Sequence, residues 1–136
     1  MAKISIGSAQ WGSEYGISNI SGIPSSNTVN KIITYANSNN IRMIDTARAY
    51  GNAESKIGEN ISNDFDIVSK IIVNEENSSK IKNLVNDSLL KLKINSIYGF
   101  LIHNPKELLK DSKTWEALEN EKSEGKIKKI GYSVYE

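Results

Sequence analysis

Segments with the pattern of buried strands alternate with segments of helical periodicity along the whole chain. The strand-like segments are Lys3–Gly7, Ile41–Asp45, Asp66–Lys70, Ser96–His103 and Lys129–Ser133. Between them lie four segments in which apolar residues recur at helical spacing, namely Ser25–Asn39, Ala53–Ile61, Ser78–Leu92 and Asp111–Ser123. Strands that alternate with helices form parallel sheets. The order βαβαβαβαβ therefore predicts an α/β fold with about five parallel strands and four helices.

Local signals support the helix boundaries. Ser25 or Ser26 can cap the first helix, and Gly125 follows the last one in a position typical of a helix C-terminus. The third helix carries one apolar stripe, formed by Ile81, Leu84, Val85, Ser88, Leu89 and Leu92. The stretch Ser8–Pro24 is rich in Gly and Ser, and its length is that of a functional loop.

The charge of the chain is nearly balanced, with 17 basic and 16 acidic side chains and a net charge of +1. Nucleic-acid binding requires a concentrated basic face that neutralises phosphates. The one basic cluster, Lys126 with Lys128 and Lys129, is flanked by Glu121 and Glu124. We interpret it as a solvated helix end and predict no nucleic-acid partner.

Cysteine is absent from the sequence, which excludes disulfides and thiolate metal sites. No apolar run approaches the roughly 20 residues that a membrane-spanning helix requires. The strand predicted to begin at Lys3 leaves no room for a signal peptide. The sequence therefore predicts a protein with no membrane association and a cytoplasmic location.

Four polar residues with complementary acid–base chemistry lie at or just beyond the C-terminal ends of consecutive predicted strands. Asp45 ends the second strand and Tyr50 follows it in the loop. Lys70 ends the third strand and His103 ends the fourth. The carboxyl ends of parallel strands gather at one edge of the sheet, where the loops of β/α arrays carry reactive groups. We therefore expect these four side chains to meet in one site.

These residue types fit the reduction of a carbonyl group, which requires a hydride donor and a proton donor for the developing alkoxide. The phenol of tyrosine is a weak acid at neutral pH unless a cation stabilises its phenolate. In this interpretation Lys70 supplies the cation and Asp45 holds the ammonium group in place. His103 hydrogen-bonds the substrate oxygen and orients it toward Tyr50. The pattern indicates general acid catalysis with electrostatic stabilisation of an oxyanion.

Each of the four residues also has an ordinary structural explanation. Lys70 can be a solvated strand end, and His103 can bond a backbone carbonyl. Asp45 can cap a turn, and Tyr50 can pack beside the turn at Gly51. The coincidence of four residue types at four such positions favours a site over these separate explanations.

Other kinds of site have less support in the sequence. Gly7, Gly12 and Gly16 do not form the GxGxxG pattern of dinucleotide-binding folds, and no P-loop sequence occurs. One histidine without cysteine argues against catalytic zinc. No GxSxG sequence is present for a serine nucleophile. Carboxylates that could bind a hard cation do not have the spacing of a known cation loop; they are Asp45, Glu54 and Glu59.

With their neighbours, these residues resemble the aldo-keto reductase family over nearly the whole chain, in order and spacing. The matching stretches are Gly7-Ser-Ala-Gln-Trp-Gly12, Ile44-Asp-Thr-Ala-Arg-Ala-Tyr-Gly51 with Glu54 and Ile57-Gly58, Ile67-Val-Ser-Lys70, Ser88-Leu89 with Leu92, Phe100-Leu-Ile-His-Asn-Pro105, and Gly125-Lys-Ile-Lys-Lys-Ile-Gly-Tyr-Ser133. The resemblance implies a partial TIM (β/α)8 barrel, with residues 1–136 forming a single incomplete barrel domain. It also implies an NADPH-dependent oxidoreductase that acts on a small-molecule carbonyl substrate.

By the same resemblance, the catalytic tetrad falls on Asp45, Tyr50, Lys70 and His103, with Tyr50 as proton donor. The implied cofactor contacts are Gln10 and Trp11 after the first strand, Asp45, and Ser133 after the fifth strand. Val134 stands where many family members have an asparagine, so the resemblance does not carry over that amide contact.

The resemblance covers just over half of the family's barrel. In the family, the loops after strands seven and eight bind the pyrophosphate and the adenosine 2′-phosphate, and these have no counterpart in this chain. An unclosed barrel exposes two strand edges, which favours pairing with another chain. The segments of the chain that lie at specificity loops (Ser13–Ile23, Asn74–Ser78 and Asn104–Asp111) do not indicate a particular substrate.

Three functions therefore remain open at the level of the sequence. The first is an NADPH-dependent carbonyl reductase of the aldo-keto reductase type. The second is a catalytically inactive half-barrel that associates with itself or binds a partner. The third is a related lyase or epimerase that uses Tyr50 or Lys70 as a base without net redox change.

Overall fold

Five parallel strands form one sheet in which the strands lie side by side in the order of the sequence. The computed structural model describes residues 4–62, 64–74, 80–106 and 112–134. The strands are β1 (Ile6–Gly7), β2 (Met43–Asp45), β3 (Asp66–Ile71), β4 (Ile97–Ile102) and β5 (Ile127–Tyr132). The helices are α1 (Ala9–Gly12), α2 (Ser26–Ser38), α3 (Ala53–Asn60), α4 (Ile81–Leu92) and α5 (Ser112–Ser123). The predicted α/β class and parallel sheet are confirmed.

The larger helices pack against the sheet and against each other in chain order, α2 on α3, α3 on α4 and α4 on α5. Apolar residues of the strands and helices form one core between the two layers. Its fully buried members include Val29, Ile44, Ile57, Ile67, Val85, Phe100, Leu118 and Ile127. Each helix therefore buries apolar side chains of the two strands that it connects, and this burial stabilises the neighbouring strands side by side.

The side chains of β3 alternate between the two faces of the sheet, as in any strand. Ile67, Ser69 and Ile71 are fully or almost fully buried toward the helices. Val68 lies on the opposite face, where a Cβ on Gly99 would meet its side chain at 3.3 Å. Lys70 shares that face with Val68 because the two are two residues apart. Ser69 and Lys70 thus project in opposite directions from adjacent positions.

The predicted element boundaries agree with the structure to within a few residues. Ser25 caps α2, since its Oγ accepts a hydrogen bond from Thr28 N at 3.2 Å. Gly125 follows α5 in the left-handed region with φ +78°. The strand start at Lys3 and the helix starts at Ser78 and Asp111 lie outside the described residues.

Among the described residues, the structure contains one α-helix beyond the four predicted ones. A single helical turn, α1, lies inside the segment predicted to be a loop and buries Trp11 against the core. Four residues are too few for helical periodicity to be visible in the sequence. This turn lies directly after β1, at the edge of the sheet where the polar residues gather.

Candidate active site

The strand register brings the predicted site residues to one edge of the sheet. Asp45 at the end of β2 is level with Gly7 and Val68, and Lys70 is level with Leu101 of β4. The chain continues the ladder beyond two strand ends, as His103 N donates to Ile71 O at 2.7 Å and Ser133 N donates to Ile102 O at 2.9 Å. These backbone hydrogen bonds fix the positions of His103 and Ser133 directly after the ends of β4 and β5.

Lys70 is held at the centre of this edge by two oxygen atoms of the neighbouring strand. Its ammonium nitrogen donates to Asp45 Oδ1 at 2.5 Å and to Thr46 O at 2.9 Å. Lys70 is 7% exposed, whereas the Asp45 side chain is 38% exposed. A buried ammonium requires such partners because burial without them is costly. The carboxylate thus anchors the cation and still faces the open side of the site.

Tyr50 lies in the loop between β2 and α3, and its ring faces both of the other reactive groups. The ammonium nitrogen of Lys70 is 5.4 Å from the centroid of the Tyr50 ring, within the range of a cation–π contact. The ring of His103 meets the Tyr50 ring edge to face, with centroids 6.0 Å apart and planes at 82°. A positive charge therefore lies over the face of the tyrosine ring.

The turn at Tyr50–Gly51 is packed directly against the end of α1. Gly51 has φ +54°, in the left-handed region that favours glycine. A Cβ on Gly51 would overlap Gly12 O, and a Cβ on Gly12 would overlap Tyr50 O. The two backbones approach this closely only because both positions are glycine. Part of the site geometry is therefore set by two residues that carry no functional group.

The surroundings of His103 favour the neutral form of its imidazole. Burial lowers the pKa of the imidazole below its usual 6.5, the nearby Lys70 ammonium lowers it further, and the Asp45 carboxylate partly opposes both effects. A neutral imidazole has one N–H donor and one acceptor nitrogen. Within the described residues, the buried Nδ1 of His103 has no hydrogen-bond partner. Because Nδ1 is buried, a hydrogen bond from the ring to a bound molecule has to come from Nε2.

The residues expected to contact a cofactor line the same edge. Gln10 is exposed and donates to Tyr15 O at 3.0 Å, and Ser133 is half-buried beyond the end of β5. Trp11 is only 4% exposed and packs in the core, so contact with a bound molecule is limited to its exposed edge. Gln10 and Trp11 lie in α1, directly after β1, and Ser133 directly follows β5, so all three come after the C-terminal ends of strands. Their cofactor role stays a prediction.

A second polar cluster lies behind the tetrad, on the helix side of the sheet, and the sequence did not indicate it. The carboxylate of Glu54 is bonded by two serine hydroxyls, one from β3 and one from α4. Arg48, between Asp45 and Tyr50 in the chain, extends this cluster to Asp87. The signal that could have indicated it is Ser88, a polar residue on the otherwise apolar stripe of α4.

The described residues contain no group of three or more His, Cys, Asp or Glu side chains arranged to hold a metal ion. Among the same residues, no helix has the length and apolar character required to cross a membrane.

Comparison with known proteins assigns the chain to a protein family. A sequence profile described as the aldo/keto reductase family matches residues 3–136. No curated protein sequence matches the chain.

Solved structures match the fold. A protein from Pseudomonas aeruginosa described as an aldo-keto reductase is 27% identical, with a TM-score of 0.83 over 97% of this chain and 55% of its own. An aldo/keto reductase from Brucella melitensis is 27% identical, with a TM-score of 0.70 over 97% of this chain and 49% of its own. A mutant of the protein Gox0644 in complex with NADPH is 22% identical, with a TM-score of 0.73 over 98% of this chain and 45% of its own. The chain thus spans about half the length of the structures it matches.

Proposed function

Because the chain belongs to the aldo/keto reductase family, we propose that the protein containing it is an NADPH-dependent reductase of small aldehydes or ketones. The observation that carries this proposal is the arrangement of an anchored cation, a phenol and a neutral imidazole around one open edge. Lys70 lies 5.4 Å from the Tyr50 ring centroid, and the Tyr50 and His103 rings meet at 6.0 Å. These are the groups that a carbonyl oxygen requires when it becomes an alkoxide.

Each member of the tetrad has a distinct role in this proposal. Tyr50 donates its phenolic proton to the substrate oxygen. Lys70 stabilises the phenolate that remains, and Asp45 keeps the ammonium in position through their direct hydrogen bond. His103, whose pKa is lowered by burial and by Lys70, stays neutral and donates a hydrogen bond to the substrate oxygen. Stabilisation is therefore aimed at the charge that develops during the reaction.

The polar groups at this edge fit the nicotinamide end of the cofactor. NADPH, when bound, supplies the hydride. The exposed Gln10 amide, the Ser133 hydroxyl and the Asp45 carboxylate provide donors and acceptors for a carboxamide. The related protein Gox0644 has been solved in complex with NADPH, which supports the choice of cofactor. Lys70 and Arg48 are already bonded within the chain, so we do not assign the cofactor phosphates to these two side chains.

The proposal is tested by following NADPH oxidation with a panel of aldehydes and ketones, using the whole protein to which this chain belongs. Tyr50→Phe removes only the hydroxyl that donates the proton. Loss of general acid catalysis lowers kcat by about 10²–10⁴-fold. Tyr35→Phe is the matched control, because Tyr35 is an exposed tyrosine on α2, away from the site. Equal turnover in the two variants and the parent would contradict the proposed role of Tyr50.

A second candidate function, self-association of this chain as a half-barrel, is favoured by its exposed apolar edges. Among the described strands, β1 and β5 form the two edges of the sheet. Ile4 is exposed beside the first edge, and Tyr132 and Val134 are exposed at the second. A groove of about 460 Å³ lies along the first edge, lined by Ile6, Thr28, Lys31, Ile32, Tyr35, Ala36 and Ile41. Unpaired edges and exposed apolar grooves favour association, and we propose a second copy of the chain as the occupant.

The mass of the 136-residue chain in solution, measured by light scattering, tests this candidate. A specific dimer would bury about 1,200 Å² or more. Ile32→Glu places a charge in the groove and is expected to shift the mass to that of a monomer. Leu90→Glu, on the exposed surface of α4, adds the same charge away from both edges and is expected to leave the mass unchanged. A monomeric parent chain would contradict self-association.

A further inference from the structure

Glu54 is a buried carboxylate that the proposed chemistry does not use. It lies in the first turn of α3 and is 3% exposed. Ser69 Oγ donates to its Oε1 at 2.7 Å, and Ser88 Oγ donates to its Oε2 at 3.2 Å. Both serines are completely buried. The carboxylate therefore joins three elements, α3, β3 and α4, inside the core.

Two of these attachments lie next to residues of the active site. Glu54 comes four residues after Tyr50 in the sequence, in the first turn of α3, and the Tyr50 loop leads directly into that helix. Ser69 precedes Lys70 on β3 and projects to the opposite face of the sheet. The hydrogen bond from Ser69 to Glu54 thus couples the strand position of Lys70 to the helix start that follows Tyr50.

Arg48 extends the cluster into the middle of the same loop. Its Nη1 donates to Ser88 Oγ and to Leu84 O, both at 2.8 Å, and its Nη2 donates to Asp87 Oδ2 at 2.9 Å. Its backbone N–H donates to Lys70 O at 3.0 Å. The loop is therefore tied to α4 through the Arg48 side chain and to β3 through the Arg48 backbone.

The loop that carries Tyr50 is thus held from two sides. On one side the Gly12 and Gly51 backbones are in close contact. On the other side Glu54, Ser88 and Arg48 form a continuous set of hydrogen bonds. Buried polar groups are costly unless every member is bonded, and a bonded network allows only one arrangement of its elements. An apolar residue at position 54 would pack the same space without defining the position of the loop.

We propose that Glu54 is a positioning residue, whose carboxylate fixes the place of Tyr50 relative to Lys70 and His103. The inference rests on the proposed function for its catalytic meaning. Its test concerns only the geometry of the loop, so it can fail or succeed whether or not the protein reduces carbonyl compounds.

The test uses NMR of the 136-residue chain, in which His103 is the only histidine and its ring signals are therefore unambiguous. The close edge-to-face contact of the Tyr50 and His103 rings gives a nuclear Overhauser cross-peak between their protons. Tyr50→Phe assigns the tyrosine side of that peak. We expect Glu54→Ala to lose the cross-peak and to shift the His103 signals. Glu54→Gln keeps an acceptor oxygen and the side-chain shape, and we expect it to retain the cross-peak.

Glu121→Ala is the matched control for a purely structural effect. Glu121 is also 3% exposed, and it accepts a hydrogen bond from Lys126. Lys126 directly precedes β5, so this pair lies at the N-terminal ends of the parallel strands, whereas the candidate site lies at their C-terminal ends. Glu121→Ala should reduce stability and leave the Tyr50–His103 cross-peak intact. If Glu54→Ala does not fold, Ser69→Ala removes one of the two donors and is expected to weaken the cross-peak. An intact cross-peak in every folded Glu54 and Ser69 variant would overturn the proposal.

Discussion

Replacing Gly12 by alanine tests whether close backbone contact with α1 keeps Tyr50 in position. A Cβ at residue 12 would overlap Tyr50 O and lie 2.7 Å from Ala53 N and 2.8 Å from Tyr50 C. These are backbone atoms, which cannot move out of the way as a flexible side-chain end can. The added methyl group must therefore displace the Tyr50–Ala53 turn, the α1 turn, or both.

The size of the displacement follows from the missing space. Ordinary van der Waals contact for a Cβ begins near 3.4 Å, and the added Cβ would lie at only about half that distance from Tyr50 O. The two backbones therefore have to separate by more than about 1 Å, and a misplacement of about 1 Å can lower a reaction rate by about 100-fold. Overpacking of this kind also lowers the free energy of unfolding by about 1–3 kcal/mol. Both effects result from one methyl group that takes no part in the chemistry.

Gly7→Ala is the control, because the same substitution at the end of β1 meets no atom within 4 Å. Urea unfolding of the 136-residue chain measures the stability change, and the Tyr50–His103 cross-peak reports the position of the ring. Turnover of the whole protein gives kcat. Gly12→Ala is expected to be impaired in all three measurements and Gly7→Ala in none. Equal behaviour of the two variants would refute the argument that the glycine contact positions Tyr50.

Two further predictions concern titrating groups. NMR titration of His103 should give a pKa below 6.5, and Lys70→Met should raise it because a nearby positive charge is lost. Between the pKa of His103 in the folded chain and 6.5, the unfolded chain binds more protons at this residue than the folded chain. The free energy of unfolding should therefore fall as the pH drops through that window. An unshifted pKa would contradict the burial of the ring. Hydrogen bonds from Lys91 and Arg48 lower the pKa of Asp87 below 3.8, against a smaller opposing effect of burial. Arg48→Met should therefore lower the free energy of unfolding at neutral pH, and its difference from the parent should narrow as the pH falls and Asp87 becomes protonated. A difference that stays constant with pH would contradict an ion pair between Arg48 and Asp87.

The order and type of the large elements could be predicted because they depend on local patterns. The stripe of α4 is visible at Ile81, Val85 and Leu92, and these three residues are buried as predicted. The parallel sheet followed from the alternation of strands and helices. The four tetrad positions could also be predicted to meet, because the carboxyl ends of parallel strands share one edge.

The contacts that hold the site in place could not be predicted in the same way, since they join residues far apart in the sequence. Nothing in the local pattern pairs Glu54 with Ser69 and Ser88, although the structure joins them through hydrogen bonds. In the sequence, Glu54 belongs to a stretch that resembles the family and is one of three carboxylates without the spacing of a cation loop. Neither pattern indicates hydrogen bonds to Ser69 and Ser88. The contact of Gly12 with Gly51 likewise depends on how α1 meets the loop.

The most direct test of the central claim is transfer of isotope from the cofactor to the product. NADPH deuterated at the nicotinamide carbon that donates the hydride is incubated with a carbonyl substrate and the whole protein, and the alcohol is analysed by mass spectrometry. The proposed role of the Asp45–Tyr50–Lys70–His103 site predicts deuterium on the former carbonyl carbon with the parent protein and little or none with Tyr50→Phe. Consumption of substrate without deuterium transfer would contradict a reductase and favour a lyase or an epimerase.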